Sequence, residues 1–307
     1  MISFSTIGQT GIGICYALLA YLSWGLLPVY WKLVAAVPAL QMTAHRIVWS
    51  VFVLGLLLLL SRRWPGVVVA LRTPRQLLLL SMTAVLVSGN WLLFIWAVQN
   101  NFVLEASLGY FINPLLNIVL GMIFLSERLR PRQTAAVLLA AAGVVNLIFQ
   151  LGAVPWVALV LALSFGLYGL LRKTAPVDGL VGLSVETLLL LPIALGYLVY
   201  LDTQNRGVFL HTDWRLDVLI AQSAWATALP LLWFTNAARR LSYSTIGFLQ
   251  YLAPTCQFIL AVAVYDEPLT NAHLVTFGCI WVALSIYTLD IVLASRQKQL
   301  SRISLRN

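Results

Sequence analysis

The sequence predicts an all-α polytopic membrane protein with ten transmembrane helices, arranged as two inverted five-helix repeats. Three observations lead there: composition, the placement of basic residues, and an internal repeat. Of 307 residues, 61% are apolar and only 9% are charged, with a mean hydropathy of +0.91. Soluble domains carry about 25% charged and 45–50% apolar residues. This composition excludes a soluble enzyme and a nucleic-acid-binding protein. The net charge of +9 therefore belongs to loop anchors rather than to a nucleic-acid footprint.

A membrane helix needs roughly 20 apolar residues, and ten stretches supply them. The first, 11–32, follows a start (Met1 to Thr10) with no Lys or Arg, so it is read as a retained helix and not a cleaved signal. The second, 40–61, runs into Arg62 and Arg63, and the third, 76–98, follows Arg72 and Arg75. The fourth, 104–126, ends at Glu127, and the fifth, 131–150, opens on Pro131, which suits a first helical turn. The sixth, 154–172, ends on Arg172 and Lys173; the seventh is 180–201. The eighth, 216–238, meets Arg239 and Arg240; the ninth is 244–265; the tenth, 271–294, precedes a basic tail at 295–307. The longest clear loop is Asp202 to Arg215.

Alternation sorts the basic residues. One side of the membrane receives Arg62, Arg63, Arg72, Arg75, Arg128, Arg130, Arg132, Arg172, Lys173, Arg239, Arg240, Arg296, Lys298, Arg302 and Arg306. The other receives Lys32, Arg206 and Arg215, with Arg46 inside a span. The positive-inside rule makes the first side cytoplasmic. Both termini then lie inside, which requires an even number of spans. Cys15, Cys256 and Cys279 fall in apolar runs without metal-ligand spacing and are read as small buried residues.

The halves, 1–150 and 151–294, repeat. With an offset of 141, Ala17-Leu18, Leu22-Ser23, Gly25-Leu26 and Lys32 match Ala158-Leu159, Leu163-Ser164, Gly166-Leu167 and Lys173. With an offset of 140, Pro114, Glu127 and Leu129 match Pro254, Glu267 and Leu269. Because each half has an odd number of spans, the second enters from the opposite face. Inverted repeats of this kind characterise alternating-access transporters.

Several runs carry a family resemblance: Trp24-Gly25-Leu26-Leu27-Pro28-Val29-Tyr30, His45-Arg46-Ile47-Val48-Trp49-Ser50, the run from Glu105 through Ser107-Leu108-Gly109-Tyr110-Phe111-Ile112-Asn113-Pro114, Ala226-Thr227-Ala228-Leu229-Pro230-Leu231 and Gly247-Phe248-Leu249-Gln250-Tyr251. With the repeat, they resemble the paired EamA domains of the drug/metabolite transporter superfamily, and within it the RarD-like permeases. The resemblance implies a ten-helix inner-membrane carrier with a central cavity. It does not imply a substrate, because members are assigned to amino acids, metabolites and drugs.

Candidate transport residues follow. Pro114 and Pro254 lie in mid-span at corresponding positions. Each frees the carbonyl four residues back, that of Tyr110 or Gln250, so both prolines are candidate hinges. Arg46 and Glu186 lie deep in their spans, 140 residues apart. Buried charges normally face a cavity or a partner. The expected roles are a carboxylate anchor for Arg46 and an amine or coupling-proton site for Glu186, set against a fixed structural ion pair or snorkelling to the interface. His45 adjoins Arg46. Asn90, Asn113, Asn117 and Gln257 are deep amides that bond substrate or glue helices. Trp24, Trp49, Trp91 and Trp225 are deep aromatics, whereas Trp31, Trp64, Trp156 and Trp214 sit near span ends as belt anchors do. The candidate substrate-contacting set is Trp24, His45, Arg46, Asn90, Trp91, Tyr110, Asn113, Glu186, Gln250 and Tyr251. Glu127, Glu267, His273 and Asp290 are read as capping or interfacial.

There is no phosphate loop, nucleophile elbow or His-Glu-x-x-His motif. No cofactor or metal is expected, and any energy comes from a gradient, with a proton as candidate coupling ion. The expected partners are a small-molecule substrate and the lipid bilayer. The leading function is export of a small organic solute. Uptake or exchange is the alternative within transport, and a lipid-handling protein such as a scramblase the alternative outside it.

Overall fold

The computed structural model describes residues 4–34, 36–99, 103–151, 156–264 and 271–304. They form twelve helices: α1 (Phe4–Leu33), α2 (Ala39–Leu60), α3 (Trp64–Arg72), α4 (Pro74–Gln99), α5 (Val103–Leu125), α6 (Pro131–Leu151), α7 (Trp156–Thr174), α8 (Gly179–Thr203), α9 (Trp214–Ala238), α10 (Tyr243–Gln250), α11 (Leu252–Ala263) and α12 (Asn271–Ser304). No strand occurs among the described residues. Eight helices contain a stretch long and apolar enough to cross a bilayer: α1, α2, α4, α6, α7, α8, α9 and α12. In α5 the apolar stretch is the shorter Gly109–Leu125. Large apolar side chains such as Leu60, Val85, Phe149 and Ile193 lie fully on the outside. Water would not tolerate so continuous an apolar exterior, and lipid does. The chain is an integral membrane protein.

Three elements depart from the sequence expectation. The segment after α2, read as a loop, contains the short helix α3, with Pro65 in its first turn. The stretch read from sequence as the ninth span is two helices: α10 ends at Gln250 and α11 starts at Leu252. Pro254 therefore sits in the first turn of α11, where its missing N–H costs nothing, while Pro114 stays inside a continuous α5. The two prolines are equivalent in sequence but not in local structure. Finally, α12 carries on as helix through the basic tail to Ser304.

Helices α1 and α9 pack together, as do α4 and α7. α2 packs on both α8 and α9, α8 also on α4, α5 on α7, α1 on α11, and α6 on α12. The central core is aromatic: Tyr21, Tyr168, Phe234 and Tyr243 are wholly buried, and Phe234 stacks on Tyr168 at 6.3 Å. α5 meets α10 where a Cβ on Gly247 would stand 2.5 Å from the Pro114 carbonyl oxygen. Helices of membrane proteins approach this closely only through small residues. Gly247→Ala is expected to force α10 off α5 and cut the yield of monodisperse protein, read by size-exclusion chromatography in detergent.

Polar groups close the helix ends. Ser126, with φ 53°, turns the chain at the end of α5. Glu127 then accepts from the backbone N–H groups of Tyr243 (2.6 Å) and Ser244 (2.9 Å) and from the Ser244 hydroxyl (2.7 Å). It caps α10, satisfying donors that the helix itself leaves open. Its repeat partner Glu267 lies outside the described residues, as does the His273 side chain. Asp178 caps α8 through Leu180 N (3.0 Å) and pairs with Arg63 at 2.7 Å. Partial burial pushes this carboxyl up, but the Arg63 guanidinium and the helix N–H groups outweigh it and hold the group below its ordinary value. Asp290 pairs with Arg130 at 3.0 Å, joining the start of α6 to α12.

Candidate functional site

α2, α4, α8 and α9 enclose a narrow cavity of about 20 Å³, room for one or two water molecules. Its polar lining comes from Ser50, Trp91, Glu186, Thr187 and Thr227. Ser50 is buried, and its hydroxyl has no hydrogen-bond partner among the described residues. The rest of the wall is aliphatic, including Leu54, Val87 and Leu183.

Arg46 adjoins this cavity through two of its lining residues. Its Nε donates to Thr227 Oγ1 at 2.7 Å. Its guanidinium carbon lies 4.7 Å from the Trp91 ring centre and 4.8 Å from that of Trp31. Indole faces attract a cation through the ring quadrupole. The hydroxyls of Tyr30 and Tyr110 are close enough to interact electrostatically with it. Among the described residues no carboxylate comes within 4.0 Å of this guanidinium. Arg46 and Ser50 are one turn apart on α2, which puts them on one face of the helix.

Glu186 is arranged differently. Its carboxylate accepts from Thr83 Oγ1 at 2.6 Å and from the Tyr168 hydroxyl at 3.4 Å. Arg172 Nε stands 3.5 Å from Oε1, and both side chains are only 1% exposed. The guanidinium donates to the Gly179 carbonyl at 3.1 Å, while Nε and Nη1 make no hydrogen bond. Gly182 leaves room for it, because a Cβ there would lie 2.0 Å from Nη1. At the end of the sixth span Arg172 reads as a basic anchor of the cytoplasmic side; its place in the last turn of α7 agrees with that span, but its side chain is buried in the interior. The cation paired with Glu186 is thus Arg172, not Arg46.

The remaining candidates fall into three groups. Trp91 and Tyr110 join Arg46. Asn90, Asn113 and Gln250 bond other helices: Asn90 donates to the Leu161 carbonyl and Ser164 Oγ, both at 2.9 Å, and Asn113 to the Ala162 carbonyl at 2.7 Å. Gln250 donates to Asn113 Oδ1 at 2.7 Å and accepts from Asn117 at 2.8 Å. This amide network ties α5 to α7 and α10. Gln257 likewise donates to the Trp24 carbonyl at 3.2 Å. Trp24 packs among Tyr21, Phe165 and Phe234, and Tyr251 against Phe248. His45 faces away from Arg46, against Phe209 of the α8–α9 loop at 5.3 Å.

Trp31, Thr83, Tyr168, Arg172 and Ser50 belong to the site and were not singled out as ligands by sequence. A signal existed for two of them. The 141-residue offset pairs Trp31 with Arg172, and each contacts the charged residue of the next helix in its own half.

Comparison with known proteins places this geometry in context. Residues 11–149 match the EamA-like transporter family. An uncharacterized transporter of Vibrio cholerae is 51% identical over 91% of this chain and 92% of its own length. Protein RarD of Salmonella typhi is 48% identical over 94% of this chain and 99% of its own. A crystal structure of another protein superposes with a TM-score of 0.69 over 90% of this chain and 97% of its own, at 19% identity, a likeness of fold alone.

Proposed function

The chain belongs to the EamA family, as a RarD-like member of the drug/metabolite transporter superfamily, and on that premise we propose that it is a secondary transporter exporting a small organic solute across the bacterial inner membrane by alternating access. The observation that carries this reading is the cavity walled by α2 and α4 from the first half and α8 and α9 from the second, with polar groups from each. The proposed topology has ten spans, α5 and the α10–α11 pair included, with both termini cytoplasmic. Two features support two halves of opposite orientation. With ten spans, fifteen of the nineteen basic residues collect on one face and three on the other. Exchanging α1, α2, α4, α5 and α6 for α7, α8, α9, α10–α11 and α12 turns the α1–α9 contact into α7–α4 and the α2–α9 contact into α8–α4. Halves related in this way can trade conformations at similar energy, which is what alternating access requires.

The test is an untargeted metabolite profile of spent medium from cells expressing the intact chain or Arg46→Gln at matched membrane levels. The expected result is a solute enriched only by the intact chain. Depletion of a solute from the medium would reverse the direction. Identical profiles together with lipid scrambling in proteoliposomes would replace transport with lipid handling.

A further inference from the structure

We propose that the site selects organic anions: a carboxylate on an apolar or aromatic body, without a charged amine. This deepens the transporter reading and rests on it. Three described charged side chains stand at or beside the cavity: Arg46, Arg172 and Glu186. Glu186 is already neutralised by Arg172 at 3.5 Å and held by Thr83 and Tyr168. A substrate amine that took over its charge would displace Arg172 and strand a guanidinium whose side chain is only 1% exposed. Arg46 has no counter-charge among the described residues. Where Arg172 answers Glu186 in the second half, the equivalent position in the first half is Trp31, which offers an aromatic face and no charge. Among the described residues the site therefore holds one uncompensated positive charge.

The surroundings define the rest of the ligand. Thr227 occupies only Nε of Arg46, so the outer edge of the guanidinium is left for a carboxylate, which it matches in a two-pronged geometry. Trp31 and Trp91 flank that edge, and the cavity beyond is aliphatic apart from its hydroxyls and Glu186. The partnerless Ser50 hydroxyl, one turn along α2, can accept or donate one hydrogen bond to the body of the ligand. A zwitterion leaves the positive charge uncompensated once its own ammonium is counted, and a cation adds to it.

Four matched probes test this on purified protein: 3-phenylpropionate, its neutral amide, phenylalanine and phenethylamine. Binding is read by quenching of tryptophan fluorescence, since two indoles flank the site, with ligand-induced thermal shift as the second readout. The expected result is that 3-phenylpropionate binds at least about tenfold more tightly than each of the others, the scale of one charged hydrogen bond. Arg46→Gln removes that preference, and Arg46→Lys, which keeps the charge but loses the fork, retains part of it. Arg215→Gln, on the exposed start of α9, changes nothing. Equal or tighter binding of phenylalanine or phenethylamine overturns the proposal, as does an unchanged preference in Arg46→Gln or binding of none of the four. If the probes fail while the intact chain still changes the metabolite profile of the medium, the anion class falls and the transporter stands.

Discussion

Glu186→Gln is expected to lower stability by about 3–5 kcal/mol, the cost of removing one partner from a buried ion pair. Both members are 1% exposed, so water cannot solvate the Arg172 guanidinium left behind. Arg172→Met alone is expected to cost a similar amount. The double variant, Arg172→Met with Glu186→Gln, is expected to recover most of the loss, because replacing both charges removes the stranded one. Gly182→Ala belongs to the same series: its methyl group would collide with Nη1 at 2.0 Å, displacing the guanidinium from its carboxylate. Thermal unfolding of the four variants in one detergent checks this, and additive losses in the double variant would show that the pair is not a unit.

Arg46→Gln is expected to behave in the opposite way. Its loss strands no carboxylate among the described residues, so the protein keeps or gains stability. Transport falls by about 10–100-fold, the equivalent of a charged hydrogen bond worth about 1.5–3 kcal/mol. Flux and unfolding measured on the same preparation separate the two effects. A variant that unfolds early and keeps its flux would assign Arg46 to the scaffold instead.

These contrasting expectations fall on residues that the repeat makes equivalent, and they mark where sequence reading stops. Membrane character was legible because 9% charge in 307 residues leaves no soluble alternative. The depth of Arg46 and Glu186 was legible from their place within apolar spans. Their partners were not. Arg172 sits in the last turn of α7 beside Lys173, and a basic pair at a span end reads as a loop anchor. Only the three-dimensional structure shows that Arg172 turns inward to Glu186 while Lys173 caps α9 through the Ala238 carbonyl at 2.9 Å. Trp31 was hidden by the same logic, since an indole near a span end resembles a belt residue until α2 brings Arg46 against it. The amides show the reverse. Asn113 and Gln250 are polar, deep and near the prolines, yet they bond one another and the Ala162 carbonyl. The proline pair carries a further lesson: Pro254 begins a new helix and Pro114 sits inside one. Equal spacing in sequence does not force equal backbone, because the neighbouring helices decide whether the freed carbonyl is tolerated.

Access to Ser50 tests alternating access most directly and needs no knowledge of the substrate. Ser50→Cys, in a background with Cys15, Cys256 and Cys279 replaced by Ser, is exposed to a membrane-impermeant thiol reagent in right-side-out and inside-out vesicles. Alternating access predicts labelling from both sides, without the reagent itself crossing. Labelling from one side only, in every condition that leaves the protein folded, would contradict it.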